Sequence, residues 1–200
     1  MKVILLALSV LAWAKVAVAE EDPQALVARL IGEVETVLAS QEPRDAKLKL
    51  IEEKVVPYMD FEEATRLAAS RAWSQASAEQ RARLVREFRA MLTRTYSNAI
   101  DAYAGQQLRP LPSRIHPASA EATVRYQFVR SGGRPLQVSY EMHRRGTSWK
   151  IYDISVEGMS LVLTYRTEFD NVLKQEGIEG LLQRLAQKNS PPAIGLQTVQ

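Results

Sequence analysis

The apolar residues of this chain recur at helical spacing as far as Tyr103, alternate one by one from Ala122 to Met142, and return to helical spacing after Gly158. A period of 3.6 buries one stripe of a helix and a period of 2 buries one face of a strand, so neither pattern can adopt the other conformation and still bury its apolar set. The order helices, strands, helices predicts an α+β fold in which a curved antiparallel sheet of about four strands is wrapped by N- and C-terminal helices. Such a sheet can form a cone with a mouth. The pattern fits a cone filled by side chains and a hollow one equally well.

The element ends are punctuated. Asp22 is an N-cap with Pro23 at the first helical position, and Leu26, Leu30, Ile31, Val34, Val37 and Leu38 share a face up to Ala39. A second helix after Pro43 carries Leu48, Ile51 and Val55 and stops at Pro57. Asp60-x-x-Glu63 and Ser77-x-x-Gln80 have the form of capping boxes. The long helix after Ser77 presents Leu84, Phe88, Met91, Leu92, Thr95, Ala99 and Tyr103 as a stripe and ends by Gly105. Ala122 to Phe128 and Leu136 to Met142 form a hairpin around Ser131-Gly132-Gly133, and Leu108 to Ile115, with two prolines, is an edge strand. In Trp149 to Val156 the apolar phase shifts between Ile151 and Ile154, which a bulge or burial on both faces would explain. One helix then holds Val162, Phe169, Val172 and Leu173, and a last short one holds Ile178, Leu181, Leu182 and Leu185.

Residues 1–19 are expected to be a signal peptide: Lys2 precedes an apolar run from Val3 to Ala14, and Ala17-Val18-Ala19 is a small-x-small cleavage pattern. The run is shorter than the ~20 apolar residues that span a bilayer. The chain has no cysteine, which excludes both a lipid anchor through an N-terminal Cys and a disulfide framework. Residues 20–188 are expected to be one domain and 189–200, with Ser190-Pro191-Pro192, a disordered tail. Loss of Lys2 and Lys15 with the leader lowers the formal charge from +3 to +1, so no nucleic-acid partner is expected. A monomer and an exported protein are.

No phosphate loop, G-x-S-x-G elbow, H-E-x-x-H pair or other catalytic string occurs, and no metal site or cofactor is expected. His116 and His143 read as solvated surface residues. Asp153, inside an apolar strand, must be paired if buried; an ion pair with Arg166 is the structural expectation, and a general base beside Tyr152 or Tyr126 the catalytic alternative.

The run Trp149-Lys150-Ile151-Tyr152-Asp153-Ile154-Ser155-Val156-Glu157-Gly158-Met159-Ser160-Leu161-Val162, continued by Tyr165-Arg166 and Phe169, resembles the C-terminal signature of the MlaC family, also called toluene-tolerance auxiliary proteins. Trp73 to Tyr103, notably Leu92-Thr93-Arg94-Thr95-Tyr96, and the closing Tyr103-x-Gly105 are similar too. The resemblance implies an NTF2-like cone with an apolar cavity. It implies a periplasmic phospholipid carrier, not an enzyme, shuttling lipid between an outer-membrane lipoprotein complex and an inner-membrane MCE/ABC transporter complex to keep the outer membrane asymmetric. A lipid-free interaction module on the same fold is the other alternative.

For a carrier, the candidate lipid-contacting residues are Leu84, Phe88, Leu92 and Tyr96 on the long helix, Val124, Tyr126, Phe128, Val138 and Tyr140 on the hairpin, and Trp149, Ile151 and Val162 near the signature. For any single one of them ordinary core packing is the preferred reading, since each pattern is that of any amphipathic element. Arg89 and Arg94 on the long helix, and Arg144 and Arg145 at a hairpin tip, are the candidates for electrostatic docking on partner complexes.

Overall fold

The computed structural model describes residues 21–101, 107–116, 118–129 and 134–190. The expected leader, the Gly105 helix end, the Ser131-Gly132-Gly133 turn and the tail from Pro191 lie outside the described residues.

Among the described residues six helices flank one sheet: α1 Pro23–Ala39, α2 Arg44–Val55, α3 Phe61–Ala69, α4 Arg71–Gln75, α5 Ala78–Asp101 and α6 Leu161–Asn189, with β1 Gln107–His116, β2 Glu121–Val129, β3 Leu136–Arg145, β4 Ser148–Val156 and β5 Met159–Ser160 between α5 and α6. The sheet is antiparallel in the order β1-β2-β3-β4-β5, one short strand more than the approximate count expected. Pro57 ends α2 in a single 3-10 turn, Val56–Tyr58.

The punctuation does what its chemistry allows. The Asp22 carboxylate accepts from the Gln24 and Ala25 amides, taking up two of the donors a helix start leaves without partners. Ser77 and Gln80 form the full reciprocal box, Gln80 N–H to Ser77 Oγ and Ser77 N–H to Gln80 Oε1. The Asp60 box is only half formed. Asp60 accepts from the Glu63 amide, but its own N–H goes to Ile151 O and Glu63 is bonded to Arg66.

The phase shift in β4 is a bulge. Glu141 pairs with Asp153 and Met142 with Ile151, leaving Tyr152 as the extra residue; Ile154 pairs with Tyr140. The bulge thereby sets Ile151 and Ile154 opposite Met142 and Tyr140, which share one phase of β3. A two-residue loop, Glu157-Gly158, with φ of 51° and 80°, then folds β5 back on β4. Positive φ at both loop positions is what a tight hairpin of this hand requires, and Gly158 adopts it without a Cβ clash. At the far end, Gly177 (φ 65°, ψ −166°) breaks α6 into the two limbs that the spacing of its apolar residues foretold. The second limb returns alongside the first, with Lys188 bonded to Glu168. It runs to Asn189, whose Nδ2 donates to Glu87 O and Oε2 on α5.

Among the described residues burial is divided between two clusters. One joins α3, α5 and α6 through Ala64, Ala68, Leu84, Phe88, Met91, Val162, Tyr165, Phe169, Leu181, Leu182 and Leu185. Phe88 meets Tyr165 and Phe169 edge-on with centroids 5.2 and 5.1 Å away. The other seats α1, through Leu26, Val27 and Leu30, on Ala122, Val124, Tyr126, Met142, Trp149 and Ile151 of the sheet.

Candidate functional site

A cavity of about 990 Å³ borders both clusters, at the top of the range usual for small-molecule pockets. Leu48, Ile51, Val55, Val56 and Met59 line it on the α2 side, Phe61 and Ala64 on α3, Phe88, Leu92 and Tyr96 on α5, Leu161 and Val162 on α6, and Phe128, Val138, Tyr140, Ile154 and Val156 on the sheet. Phe128, Val138 and Tyr140 belong to one face of the sheet because the registers Val124↔Tyr140, Tyr126↔Val138 and Phe128↔Leu136 put alternate residues of β2 and β3 opposite one another. The same face therefore does two things. Where α1 covers it the chain is solid, and beyond α1 it opens into the cavity.

Of the residues expected to contact lipid, Phe88, Leu92, Tyr96, Phe128, Val138, Tyr140 and Val162 line this cavity. Leu84, Val124, Tyr126, Trp149 and Ile151 do not. Leu84 is wholly enclosed among the helices, and the other four are packed in the α1 cluster. The α2 wall, absent from the expected set, carries Leu48, Ile51 and Val55, which the sequence showed only as apolar residues at helical spacing on the second helix.

The polar groups of the wall are confined. Asp153 has both oxygens occupied: Oδ1 accepts from the Ile154 and Val162 amides at 2.8 and 3.0 Å, and Oδ2 from the Ser160 hydroxyl. The expected pair with Arg166 does not form. The Glu157-Gly158 turn brings the start of α6 over Asp153, the free N–H groups there supply the donors a half-buried carboxylate needs, and Arg166 is exposed. These three structural donors fix the Asp153 carboxylate against the start of α6. His143 also departs from expectation, since its Nε2 lies 2.8 Å from Asp60 Oδ2, which accepts from Arg145 Nε at 2.7 Å as well. Burial of Asp60 acts to raise its pKa, but the Glu63 amide together with Arg145 and His143 outweighs it and holds the carboxyl below its ordinary value. Burial pushes the Tyr140 phenol well up, and with a hydrogen bond to Tyr165 pushes Tyr96 up to about 12. Among the described residues no group of three or more His, Cys, Asp or Glu side chains could hold a metal ion.

Cations gather at the rim, where Lys49, Arg86, Arg89 and Arg94 border the cavity with Asp45 and Glu52. Arg89 Nη2 donates to Glu52 Oε1 at 2.9 Å, joining α5 to α2, and its guanidinium lies 5.7 Å from the Phe61 ring centre. Arg94 holds Asn189 O at 2.7 Å at the end of α6. Arg145 is tied to Asp60, and Arg144 is exposed beside it at the β3–β4 turn.

A family model described as MlaC protein matches residues 24–187. The chain is similar to the intermembrane phospholipid transport system binding protein MlaC of Haemophilus influenzae, 21% identical over 90% of this chain and 88% of that protein. It is also similar to toluene tolerance protein ttg2D of Pseudomonas putida, 24% identical over 52% of this chain and 47% of that one. Among solved structures, the phospholipid-binding protein from Ralstonia solanacearum, determined in complex with a phospholipid, superposes with a TM-score of 0.75 at 32% identity, covering 84% of this chain and 97% of the other.

Proposed function

The chain belongs to the MlaC family, and on that premise we propose that it is a periplasmic phospholipid carrier that takes lipid between an outer-membrane lipoprotein complex and an inner-membrane MCE/ABC transporter complex. The observation that carries the reading is the 990 Å³ cavity with a mostly aliphatic and aromatic wall, in a fold shared with a protein solved with phospholipid in place.

The physics explains why a cavity suffices. Each methylene exposed to water costs ~0.8 kcal/mol, so two long acyl chains carried bare forfeit well over ~20 kcal/mol of shielding. The site needs no reacting groups, only walls, and a wall that meets tails through dispersion contacts is indifferent to which head group they bear. Among the described residues no helix is long and apolar enough to cross a membrane, which suits a carrier loaded and emptied by others. Docking on each complex is assigned to the arginines. Arg144 and Arg145 stand exposed at the β3–β4 turn, with Arg145 held by Asp60, while Arg89 and Arg94 are bonded to Glu52 and to the end of α6. Weak steering of this kind speeds association without a large buried interface.

The test is to purify the protein from the periplasm, extract it with organic solvent and weigh the extract by mass spectrometry. Near-stoichiometric phospholipid with mixed head groups is expected, and Val138→Glu or Val162→Glu should lower the lipid content more than the yield. Protein free of phospholipid from the same compartment overturns the reading in favour of a lipid-free interaction module.

A further inference from the structure

The rim of the cavity is built differently from its wall. Lys49 and Glu52 lie one turn apart on α2, Arg86 and Arg89 one turn apart on α5, and all four border the opening. Among the described residues neither Lys49 nor Arg86 has an ion-pair partner, and both are exposed. Arg89 is committed to Glu52, but through a single nitrogen at 2.9 Å, which leaves the rest of its donor fork unused in that contact. The Phe61 ring beside the guanidinium limits where it can swing. Both partners of the pair are about two-fifths exposed, at 42% and 44%, so the bond is water-accessible and an anion arriving at the rim can compete for it.

A phosphodiester has the chemistry to do so. It carries one delocalised negative charge on two oxygens, which a guanidinium fork grips with two parallel bonds where Glu52 now makes one. Lys49 and Arg86 add positive charge without needing to be freed from any partner. We propose that Arg89, supported by Arg86 and Lys49, is a phosphate subsite at the cavity mouth, and that Glu52 occupies it when no phosphate does. The inference rests on the lipid-carrier reading and extends it: the tails are held by the apolar wall, and the one head-group element common to phospholipids is held by the rim. Arrival of the phosphate also releases α2 from α5, so loading and loosening of the mouth are one event.

The two members of the pair then act in opposite directions, which a merely structural ion pair would not do. Delipidated protein is titrated by calorimetry with dioctanoylphosphatidylglycerol and with dioctanoylglycerol, which has the same tails and no phosphate. Arg89→Gln should weaken the phosphatidylglycerol roughly tenfold and leave dioctanoylglycerol unchanged, the latter showing that the cavity is intact. Glu52→Gln should strengthen the phosphatidylglycerol by up to roughly fivefold, again without effect on dioctanoylglycerol. Inorganic phosphate at matched ionic strength should displace neither. If Arg89→Gln and Glu52→Gln shift phosphatidylglycerol in the same direction, or if neither shifts it, the subsite does not exist while the carrier reading stands. Displacement by inorganic phosphate at the affinity of the lipid makes the rim a free-phosphate site and overturns its assignment to lipid. Failure of wild type to bind either lipid overturns the carrier reading and this inference together.

Discussion

Two leucines two turns apart on α5 should respond to the same truncation in different ways. Leu84 is 0% exposed and packed on all sides by α3 and α6, whereas Leu92 packs against that cluster on one side and borders the cavity on the other. Leu84→Ala removes three buried carbons, about 2.5 kcal/mol of transfer free energy. It also leaves a closed void the neighbours cannot fill, which brings the cost to roughly 3–5 kcal/mol. Leu92→Ala only enlarges a space that is already there. With no new void and part of the side chain facing the cavity beforehand, it should cost about 1 kcal/mol. Urea titration of delipidated protein, with the slope held common to the variants, measures both. The order should reverse for function, Leu92→Ala lowering affinity for long-chain phospholipid and Leu84→Ala leaving it close to wild type where the variant is folded. Equal stability losses, within about 0.5 kcal/mol, would refute the reasoning, because they would mean that the sheet closes on α5 in solution and that Leu92 is ordinary core.

The Asp153 carboxylate and the Ser160 hydroxyl form one bonded unit at the start of α6. Asp153→Ala and Ser160→Ala should each cost about 1.5–3 kcal/mol and the double variant less than their sum, while Arg166→Ala should stay within about 0.5 kcal/mol; chemical denaturation of the four proteins decides it. The Asp60 carboxyl is held below its ordinary value in the fold, so the stability it contributes is fully present above the unfolded pKa near ~3.9 and is lost as pH falls through the lower folded value. The gap in thermal stability between wild type and Asp60→Asn should shrink as pH falls below ~4; a gap that stays unchanged down to the lowest pH at which both proteins remain folded contradicts the lowered Asp60 carboxyl.

The parts of this molecule that were legible in its sequence are those decided within a few residues. Asp22 and Ser77 cap because the donors they satisfy lie two or three positions on, and the bulge at Tyr152 announces itself because an extra residue must throw the alternation out of phase. Gly177 is legible for the same reason: the apolar stripe is interrupted at a residue that alone tolerates φ 65° with ψ −166°. Val124 and Val138 mark the limit. They have the same alternation, lie on the same sheet face and are both buried, at 0% and 6%, yet one is sealed under α1 and the other borders the cavity. Alternation encodes the face a side chain takes, not what lies across from it, and what lies across is fixed by where Leu26, Val27 and Leu30 dock from about a hundred residues away. The arginines fail in the same manner. Their polarity announces a surface position, but Arg89 meets Glu52 and Arg145 meets Asp60 across sequence gaps of 37 and 85 residues, and Asp153 finds its donors in a helix end that only the Glu157-Gly158 turn brings near. A solid core needs each apolar face to find a partner. A carrier needs one face to find a partner along only half its length, and that difference is set by the reach of α1 over the sheet, which is why the cavity belongs to the tertiary structure and not to any stretch of the chain.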